Sequence, residues 1–426
     1  MRAKVRQFIY QVRGSYWFIP ALMALMAIVG SQVVVQLDHR LGADWMKDTW
    51  WISMNQPDGA RSLLATVAGS MITVTGVTFS LTILAVSYAT SHYGPRLLDN
   101  FMRDRGNQIT LGTFVATFLY CLLVLRTVRS EAGDYAQWSA SLFVPHLSIA
   151  VAIALTLASV GVLIYFIHHV PESIHISNVL GDISTTMDAK INELFPKSSE
   201  QKTNQTLAQV PDWEDSIKVH CRRSGYLQGI DETSLLSFTR RYNTVVKLDV
   251  QPGDYLLVGQ SIATVKRPPP DRAAGDSDDS PPDPLEEEIC SDRLHGAIAV
   301  GNSRTPTQDI FFLFNQYVEI AARALSPGVN DPFTAIECID RIARGLAALS
   351  THDMPCRYRR DRDDELRIIM LPLSWKGIVH AAFGQLIPYA EKDPNVRVYL
   401  RDRIATLLEL SGNAGLNHEL RNLHCE

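Results

Sequence analysis

The residues best suited to bind a ligand lie in a short motif, LSPGVNDP, between two helical patterns. Serine, asparagine and aspartate at the start of a helix can bind an anion or a small polar ligand, because the first backbone N–H groups of a helix have no partner within it. Ser326, Asn330 and Asp331 supply such groups. Charge would be added, if the preceding helix packed alongside, by Arg304, Asp309, Glu319 and Arg323. The alternative is a tight inter-helix turn in which Asn330 and Asp331 satisfy backbone amides.

A second set of small and hydroxyl side chains lies in an apolar segment at residues 63–88. At 100° per residue, six of them fall on one narrow helix face: Gly69, Ser70, Thr73, Gly76, Ser80 and Ser87. Thr75, Thr78 and Thr82 lie on the other side. Small residues let helices approach closely, and hydroxyls can bond back to helix carbonyls. The face therefore predicts either helix packing or the weakly polar lining of a pore, and the two can coexist.

Neither the cysteines nor the histidines have the spacing of a metal site. The six cysteines are widely separated, with no CxxC pair, which is typical of reduced thiols in a cytosol. His168, His169 and His175 straddle Pro171 at the end of an apolar segment, where an interfacial position is the simpler interpretation. We therefore predict no bound metal and no cofactor.

The motifs of common catalytic sites do not occur in the sequence. It contains no G-x-S-x-G, no phosphate-binding glycine loop and no HExxH. The formal net charge is −5 and the chain has no basic stripe, which argues against binding to nucleic acid. The sequence favours a protein that is not an enzyme and does not bind nucleic acid.

The apolar segments predict a membrane domain at residues 1–170. Four of them are long enough to cross a bilayer, near residues 17–37, 63–88, 110–128 and 142–170. None has Asp, Glu or Lys in its middle, which argues against a proton-coupled transporter. The lipid bilayer is therefore a predicted partner.

Lys and Arg residues near the spans predict their orientation. The N-terminal tail and the second loop hold seven, namely Arg2, Lys4, Arg6, Arg13, Arg96, Arg103 and Arg105. The first and third loops with their helix ends hold five, namely Arg40, Lys47, Arg61, Arg126 and Arg129. The excess predicts a multi-pass protein of the bacterial cytoplasmic (inner) membrane with both termini in the cytoplasm, which the reduced cysteines also favour.

The rest of the chain predicts an α+β soluble domain. Residues 171–212 predict a connecting helix and loop, and residues 213–266 predict a small β-rich unit. The acidic, proline-rich stretch 267–284 cannot bury enough apolar surface to fold, so we predict a disordered insertion. Residues 285–426 predict a mainly helical unit.

Capping residues and turns locate elements within these segments. Asp231, Asp331 and Asp393 can each cap a helix, and Gly253 and Gly259 predict turns between strands. The stretch QPGDYLLVGQSIATV resembles half of a biotinyl/lipoyl-type barrel-sandwich. It lacks the exposed turn lysine that carries biotin or lipoate, so the resemblance implies a structural or docking module.

Four separated motifs, in order, resemble one protein family. They are FSLTILAVSYATSHYGPRLLDNFMRDRGNQ (79–108), SGYLQGID (224–231), GNSRTPTQD (301–309) and ALSPGVNDPFTAI (324–336). The combination is similar to a family of bacterial predicted integral membrane proteins of unknown function and covers nearly the whole chain. The resemblance implies four N-terminal spans followed by a cytoplasmic domain. It implies no catalytic residue, and the acidic insertion is peculiar to this chain.

Together these features predict an oligomeric, channel-like membrane protein with a cytoplasmic regulatory domain and a small ion or anion as its permeant. Four spans leave little room for a pore within one chain, so this hypothesis requires a homo-oligomer with the small-residue face of the second span toward its axis. The alternative is a membrane-anchored sensor or scaffold whose cytoplasmic domain binds a ligand or a protein partner. The polar stripe favours the channel, since a mere anchor would tolerate uniformly apolar spans.

Overall fold

The structure, a computed structural model, describes residues 15–41, 57–94, 104–128, 144–197, 212–267 and 285–425. The chain divides into two compact units, one ending at residue 178 and the other beginning at residue 179. The first unit contains apolar helices, and the second contains both helices and strands. The predicted fold class, an α-helical membrane domain plus an α+β soluble domain, is therefore confirmed.

The helices of the first unit are α1 (Phe18–Leu41), α2 (Pro57–Tyr93), α3 (Arg105–Leu125) and α4 (His146–Ser173). Each is long and apolar enough to cross a membrane, which confirms the four predicted spans. With 37 residues, α2 extends beyond the predicted segment at both ends. Helix α3 starts earlier than residue 110, because the Asp104 carboxylate accepts a hydrogen bond from the Gly106 N–H at 2.8 Å and caps it.

Helix α3 packs against the other three helices of the unit. Gly112 allows α1 to approach, since a Cβ at this position would lie 2.5 Å from the Met23 Sδ atom. Along another stripe, Tyr120 of α3 shares a buried cluster with Leu64 of α2 and Ile149 of α4. Helix α3 is therefore central to the packing of the membrane unit.

The buried carboxylate of Asp38 links the end of α1 to the start of α4. Asp38 is 8% exposed and accepts hydrogen bonds from the backbone N–H groups of Leu147 and Ser148, both at 2.9 Å. The Ser148 hydroxyl donates to the same carboxylate at 2.6 Å. The Tyr120 hydroxyl donates to the Ser148 carbonyl at 3.2 Å. Asp38 thus satisfies N–H groups that α4 cannot satisfy internally, and its charge is favourable at a helix N-terminus.

Helix α5 (Ile176–Leu194) follows a short break after α4 and confirms the predicted helix in this region. It packs into the core of the second unit through Ser184, whose hydroxyl lies 2.8 Å from the Tyr317 hydroxyl. The Tyr317 hydroxyl also donates to the Leu180 carbonyl at 3.2 Å. On the surface of α5, Asp188 forms an ion pair with Arg344, which lies in the helix Pro332–Ser350.

The strands of the second unit form two sheets. They are β1 (Ser216–His220), β2 (Gly225–Ile230), β3 (Val246–Leu248), β4 (Tyr255–Leu256), β5 (Ser261–Lys266), β6 (Ile298–Gly301), β7 (Tyr358–Arg360) and β8 (Leu366–Ile369). One sheet has the order β1-β5-β3-β8-β7 and the other β4-β2-β6. All neighbours are antiparallel except β3 and β8, which are parallel. These described strands form no closed barrel.

Both sheets contain strands from each side of the predicted insertion. β6 and β8 belong to residues 285–426, which we predicted to be mainly helical, and they pair with β2 and β3 from residues 213–266. Ile217, Val246, Ile298 and Ile368 contribute to one buried cluster. The two predicted segments therefore share sheets and core.

The remaining α-helices are α6 (Glu232–Arg241), α7 (Glu287–Ala297), α8 (Ile310–Ala324), α9 (Pro332–Ser350), α10 (Trp375–Val379), α11 (Ile387–Ala390), α12 (Pro394–Leu410) and α13 (Ala414–Cys425), and a π-helix (His380–Gly384) follows α10. Asp231, Asp331 and Asp393 cap α6, α9 and α12, which confirms three predicted helix starts. Gly253 and Gly259 have φ angles of +99° and +84°, as the predicted turns require.

Several predictions fall outside the described residues. They include the loop at 198–211, most of the acidic insertion (268–284) and many of the charges used for orientation: Arg2, Lys4, Arg6, Arg13, Lys47, Arg96, Arg103 and Arg129. The orientation of the spans therefore stays a prediction.

Replacing the Asp38 carboxylate tests its role in the helix bundle. We expect Asp38→Ala to destabilise the membrane unit by about 2 kcal/mol or more, because two buried N–H groups and a hydroxyl lose their acceptor. Asp58→Ala, at an exposed position of α2, is the matched control. The thermal midpoint of the full chain in detergent should fall for Asp38→Ala and stay near wild type for the control. Equal midpoints would refute this role.

Candidate functional site

The small-residue face of α2 points away from the other described helices of its unit. Gly69, Ser70, Thr73, Gly76, Ser80 and Ser87 are all exposed. A Cβ built on Gly69 or Gly76 would meet no atom within 4 Å. On the opposite side of the helix, Thr78 and Thr82 are buried. Packing among the described helices therefore uses the second hydroxyl face and leaves the first uncovered.

The hydroxyls of the exposed face donate to carbonyls of their own helix. Ser70 donates to the Thr66 carbonyl at 2.8 Å, and Ser80 donates to the Gly76 carbonyl at 2.9 Å. Thr73 makes the same bond to the Gly69 carbonyl at 2.9 Å. Because these three donors are satisfied, their hydroxyls present only oxygen lone pairs, which makes this part of the face weakly polar and stable in a bilayer.

In the second unit, Gln308 joins two of the motifs that carry the family resemblance. Its side-chain amide accepts from the Ile230 N–H at 2.8 Å and donates to the Ile230 carbonyl at 3.1 Å. Nearby, the Gln228 amide donates to the Ser303 carbonyl at 2.7 Å. Residues 224–231 and 301–309 are therefore held side by side next to the pairing of β2 with β6.

Arg304 and Asp309 form a buried ion pair at the start of α8. Asp309 is 2% exposed, and its Oδ2 atom accepts from Arg304 Nε at 2.8 Å and lies 2.7 Å from Nη2. Its Oδ1 atom accepts from the Phe312 N–H at 3.0 Å and caps the helix. The pair continues through Asn315, which accepts from Arg304 at 3.0 Å and donates to Gln385 at 2.9 Å.

Burial raises the pKa of the Asp309 carboxyl above its ordinary value, while Arg304 and the Phe312 N–H act in the opposite direction. Gly253 lies directly against this carboxylate, since a Cβ at this position would overlap Asp309 Oδ2. The Gly253 N–H donates to the Leu227 carbonyl at 2.8 Å. The Pro-Gly-Asp turn, β2 and the start of α8 therefore meet at the buried carboxyl group of Asp309.

The structure separates the predicted ligand residues into two groups. Ser326, Asn330 and Asp331 lie at the C-terminal end of α8, whereas Arg304 and Asp309 lie at its N-terminal end. Helix α8 has 15 residues, so its ends are about 22 Å apart at 1.5 Å per residue. Arg304 and Asp309 are therefore not next to the turn, whereas Glu319 and Arg323, which we also expected to add charge there, lie near the C-terminal end of α8.

The polar groups of the turn are engaged locally. Asp331 accepts from the Thr334 N–H at 3.1 Å and from its hydroxyl at 2.6 Å. Ser326 donates to the Arg323 carbonyl at 2.6 Å, and Asn330 has a φ of +49°. This is the geometry of the inter-helix turn, the alternative interpretation of the motif.

A cavity of about 110 Å³ in the second unit was not predicted. Its apolar wall includes Phe311 and Met370, and Gln308 lies at its edge. Arg359 donates to the Glu232 carboxylate at 2.8 and 3.2 Å on the polar wall. The Cys356 thiol is half-buried and lines the same cavity, whereas Cys121, Cys221, Cys290 and Cys338 are buried. Only the position of Gln308 within the motif at residues 301–309 could have indicated this cavity, because Glu232 and Arg359 are far apart in sequence.

The histidines near the end of α4 have acidic partners. His169 Nε2 lies 2.6 Å from Asp104 Oδ2, and His168 lies 3.6 Å from Glu172. Among the residues that the structure describes, no group of three or more His, Cys, Asp or Glu side chains could hold a metal ion.

Comparison with known proteins identifies the family. The family model described as "Predicted membrane protein (DUF2254)" matches residues 13–406. The chain belongs to the DUF2254 family. This confirms the resemblance to a family of predicted membrane proteins, which rested on four motifs.

Relatives of this DUF2254 protein occur in mycobacteria. It is 28% identical over 398 residues to "Uncharacterized protein MT1328" of Mycobacterium tuberculosis (strain CDC 1551 / Oshkosh), which covers 93% of this chain and 72% of that protein. It is 29% identical over 400 residues to "Uncharacterized protein Mb1321c" of Mycobacterium bovis, with the same coverage. No solved structure matches the chain.

Two glycines test how tightly the Pro-Gly-Asp turn of the DUF2254 protein packs against Asp309. We expect Gly253→Ala to cost more than Gly259→Ala, since both have positive φ but only the first new Cβ would overlap the carboxylate. Strain alone costs about 1–2 kcal/mol at either position. The thermal midpoint of the second unit, followed in the full chain, should fall further for Gly253→Ala. A greater loss for Gly259→Ala would contradict the packing.

Proposed function

We propose that this DUF2254 protein is a non-enzymatic, oligomeric, channel-like protein of the bacterial cytoplasmic membrane, with a cytoplasmic regulatory domain. The observation that carries the proposal is the uncovered small-residue face of α2, because a lone membrane anchor has no need of it. The permeant is a small ion. The proposed orientation, with both termini in the cytoplasm, rests on the flanking Lys and Arg residues.

The shape of α2 suits contact with other copies of the chain. Gly69 with Thr73, and Gly76 with Ser80, are small residues four positions apart, a spacing at which helices in bilayers approach closely. At 100° per residue, these residues lie opposite Leu64, which is buried against α3 and α4. One side of α2 therefore holds the subunit together, and the other is available to form an interface or a pore between subunits.

A path for ions fits between subunits better than through one of them. The described core among α2, α3 and α4 is filled by side chains such as Leu64, Tyr120, Cys121 and Ile149. Several α2 helices around an axis would instead present satisfied hydroxyls and glycine backbone to the path. Such a lining offers oxygen lone pairs without a fixed charge, which suits rapid passage of a weakly bound ion.

The alternative function, a membrane-anchored sensor or scaffold, is favoured by the cavity beside Gln308 and Arg359. A cavity with an apolar wall and few polar groups is typical of a site for a small molecule. The cytoplasmic domain would then bind a ligand while the spans hold it at the membrane.

Efflux from liposomes tests the channel. Liposomes containing the full-length protein should release potassium or chloride faster than empty liposomes. The double variant Thr73→Leu with Ser80→Leu should lower the flux to near that of empty liposomes, because leucine fills the weakly polar face. Ala158→Leu, which adds a leucine at an exposed position of α4, is the control and should conduct like wild type.

Two results would contradict the proposal. Unchanged flux in the double variant would show that α2 does not line the path. Absence of flux from the wild-type protein for both ions would favour the sensor or scaffold.

A further inference from the structure

The turn between β4 and β5 exposes a cluster of apolar side chains on the second unit. Leu257 and Val258 are adjacent in sequence and are 59% and 66% exposed. Tyr255, at the start of β4, is 53% exposed. No other four consecutive residues described in the second unit expose three large apolar side chains. Single exposed apolar residues are normal, whereas a cluster marks a place that a partner can cover. Residues 255–258 are called the apolar tip below.

The backbone of the apolar tip is fixed by its own turn. The Leu257 N–H donates to the Gln260 Oε1 atom at 3.0 Å, and the Gln260 N–H donates back to the Leu257 carbonyl at 3.1 Å. Gly259 has a φ of +84°, which lets the chain reverse here. The exposure of Leu257 and Val258 therefore belongs to an ordered turn with defined hydrogen bonds.

The loop between β1 and β2 supplies the remaining acceptors. The Val258 N–H donates to the Ser224 hydroxyl at 3.1 Å, and the Gly259 N–H donates to the Cys221 carbonyl at 2.9 Å. The Cys221 N–H donates to the Gln260 carbonyl at 2.8 Å. All four N–H groups at residues 257–260 are therefore satisfied within the protein. A turn in water does not need this, whereas a turn that enters lipid does, because lipid offers no acceptor to replace water.

The same loop places basic side chains beside the apolar tip. Arg222 and Arg223 immediately precede Ser224, the residue that holds Val258, and both are exposed. Arg222 forms an ion pair with Asp292, whereas Arg223 has no carboxylate partner among the described residues. Arg223 is therefore available to an anion that lies against the tip.

This combination of side chains suits the surface of a bilayer. Apolar side chains enter the boundary of the acyl chains, tyrosine is enriched at the level of the headgroups, and arginine is attracted to anionic lipids. A protein partner fits less well, because a stable protein interface buries about 800 Å² on each partner. The three partly exposed side chains of the tip offer much less.

The membrane spans make a weak contact with lipid sufficient. Helix α4 ends at Ser173 and α5 begins at Ile176, so the second unit is tied to a membrane-spanning helix through a short connection. A tether raises the effective concentration of the second contact, which then needs little affinity of its own.

We propose that the apolar tip inserts into the surface of a bilayer that contains anionic lipids. Leu257 and Val258 enter the acyl boundary, Tyr255 lies among the headgroups and Arg223 binds lipid phosphate. The contact goes beyond the proposed channel and requires neither an oligomer nor a pore, since all four residues belong to one chain.

The test compares spin labels at two positions of the full chain in nanodiscs of phosphatidylcholine with phosphatidylglycerol. Val258→Cys places the label on the apolar tip, and Val398→Cys, at a valine of α12 that is 56% exposed, is the matched control. Both variants also carry Cys356→Ser and Cys425→Ser, and the other four cysteines are buried. Oxygen concentrates in lipid, and a charged nickel complex stays in water. The label at position 258 should collide more with oxygen, and the label at position 398 more with the nickel complex.

A second comparison tests the charge. With the label at position 258, Arg223→Gln should lower the preference for oxygen in nanodiscs with phosphatidylglycerol, because one attraction to anionic lipid is lost. It should have no such effect in phosphatidylcholine alone. Arg362→Gln, at an exposed position between β7 and β8, is the control and should change neither.

Two results would overturn insertion into lipid. If the label at position 258 met the nickel complex as often as the label at position 398, the apolar tip would lie in water. If it were shielded from both oxygen and the nickel complex, a protein surface such as a second copy of the chain would cover the tip. An Arg223→Gln variant that matches its parent in both lipid mixtures would overturn the role of Arg223. None of these results measures ion flux, so each leaves the proposed channel untouched.

Discussion

A bilayer offers no hydrogen bonds, so every polar group in the membrane unit must find its partner inside the protein. The structure meets this constraint in two ways. Hydroxyls such as those of Thr73 and Ser80 donate to their own helix, and the carboxylates of Asp38 and Asp104 cap the starts of α4 and α3. Each carboxylate also contacts a second helix, so the same side chains satisfy backbone N–H groups and hold the helices of the bundle together.

The same constraint draws attention to two features of the membrane unit, the exposed face of α2 and the buried polar atoms at the start of α3. On the exposed face of α2, hydroxyls such as those of Thr73 and Ser80 are hydrogen-bonded, but no other described helix covers the face. The face is therefore tolerated in lipid, and its small residues allow another helix to approach closely. Asn107 Oδ1 and Thr110 Oγ1 are buried, and neither has a hydrogen-bond partner among the described residues. The exposed face of α2 supports an assembly of several chains.

Local patterns predicted much of this architecture. Four spans followed from length and apolarity, and the helix starts at Asp231, Asp331 and Asp393 followed from capping chemistry. The pairing of β6 and β8 with β2 and β3 could not be predicted, because it joins residues far apart in the chain and depends on tertiary packing. The sequence indicated charge near Asp309. It could not indicate that Gly253 packs against the Asp309 carboxylate, because that contact also depends on tertiary packing.

The sequence was also limited in placing residues relative to one another. Arg304 and Ser326 lie near opposite ends of α8. They are far apart because this helix continues without a break between them. The face of α2 was visible from its period, but whether the subunit covers it depends on how α3 and α4 pack.

The most direct measurement is the mass of the full chain in nanodiscs. The account predicts a closed assembly with a mass that is a multiple of 47.5 kDa, and it predicts that Gly76→Leu, on the exposed face of α2, breaks this assembly. A wild-type particle with the mass of one chain would contradict the claim that the exposed face of α2 meets other subunits.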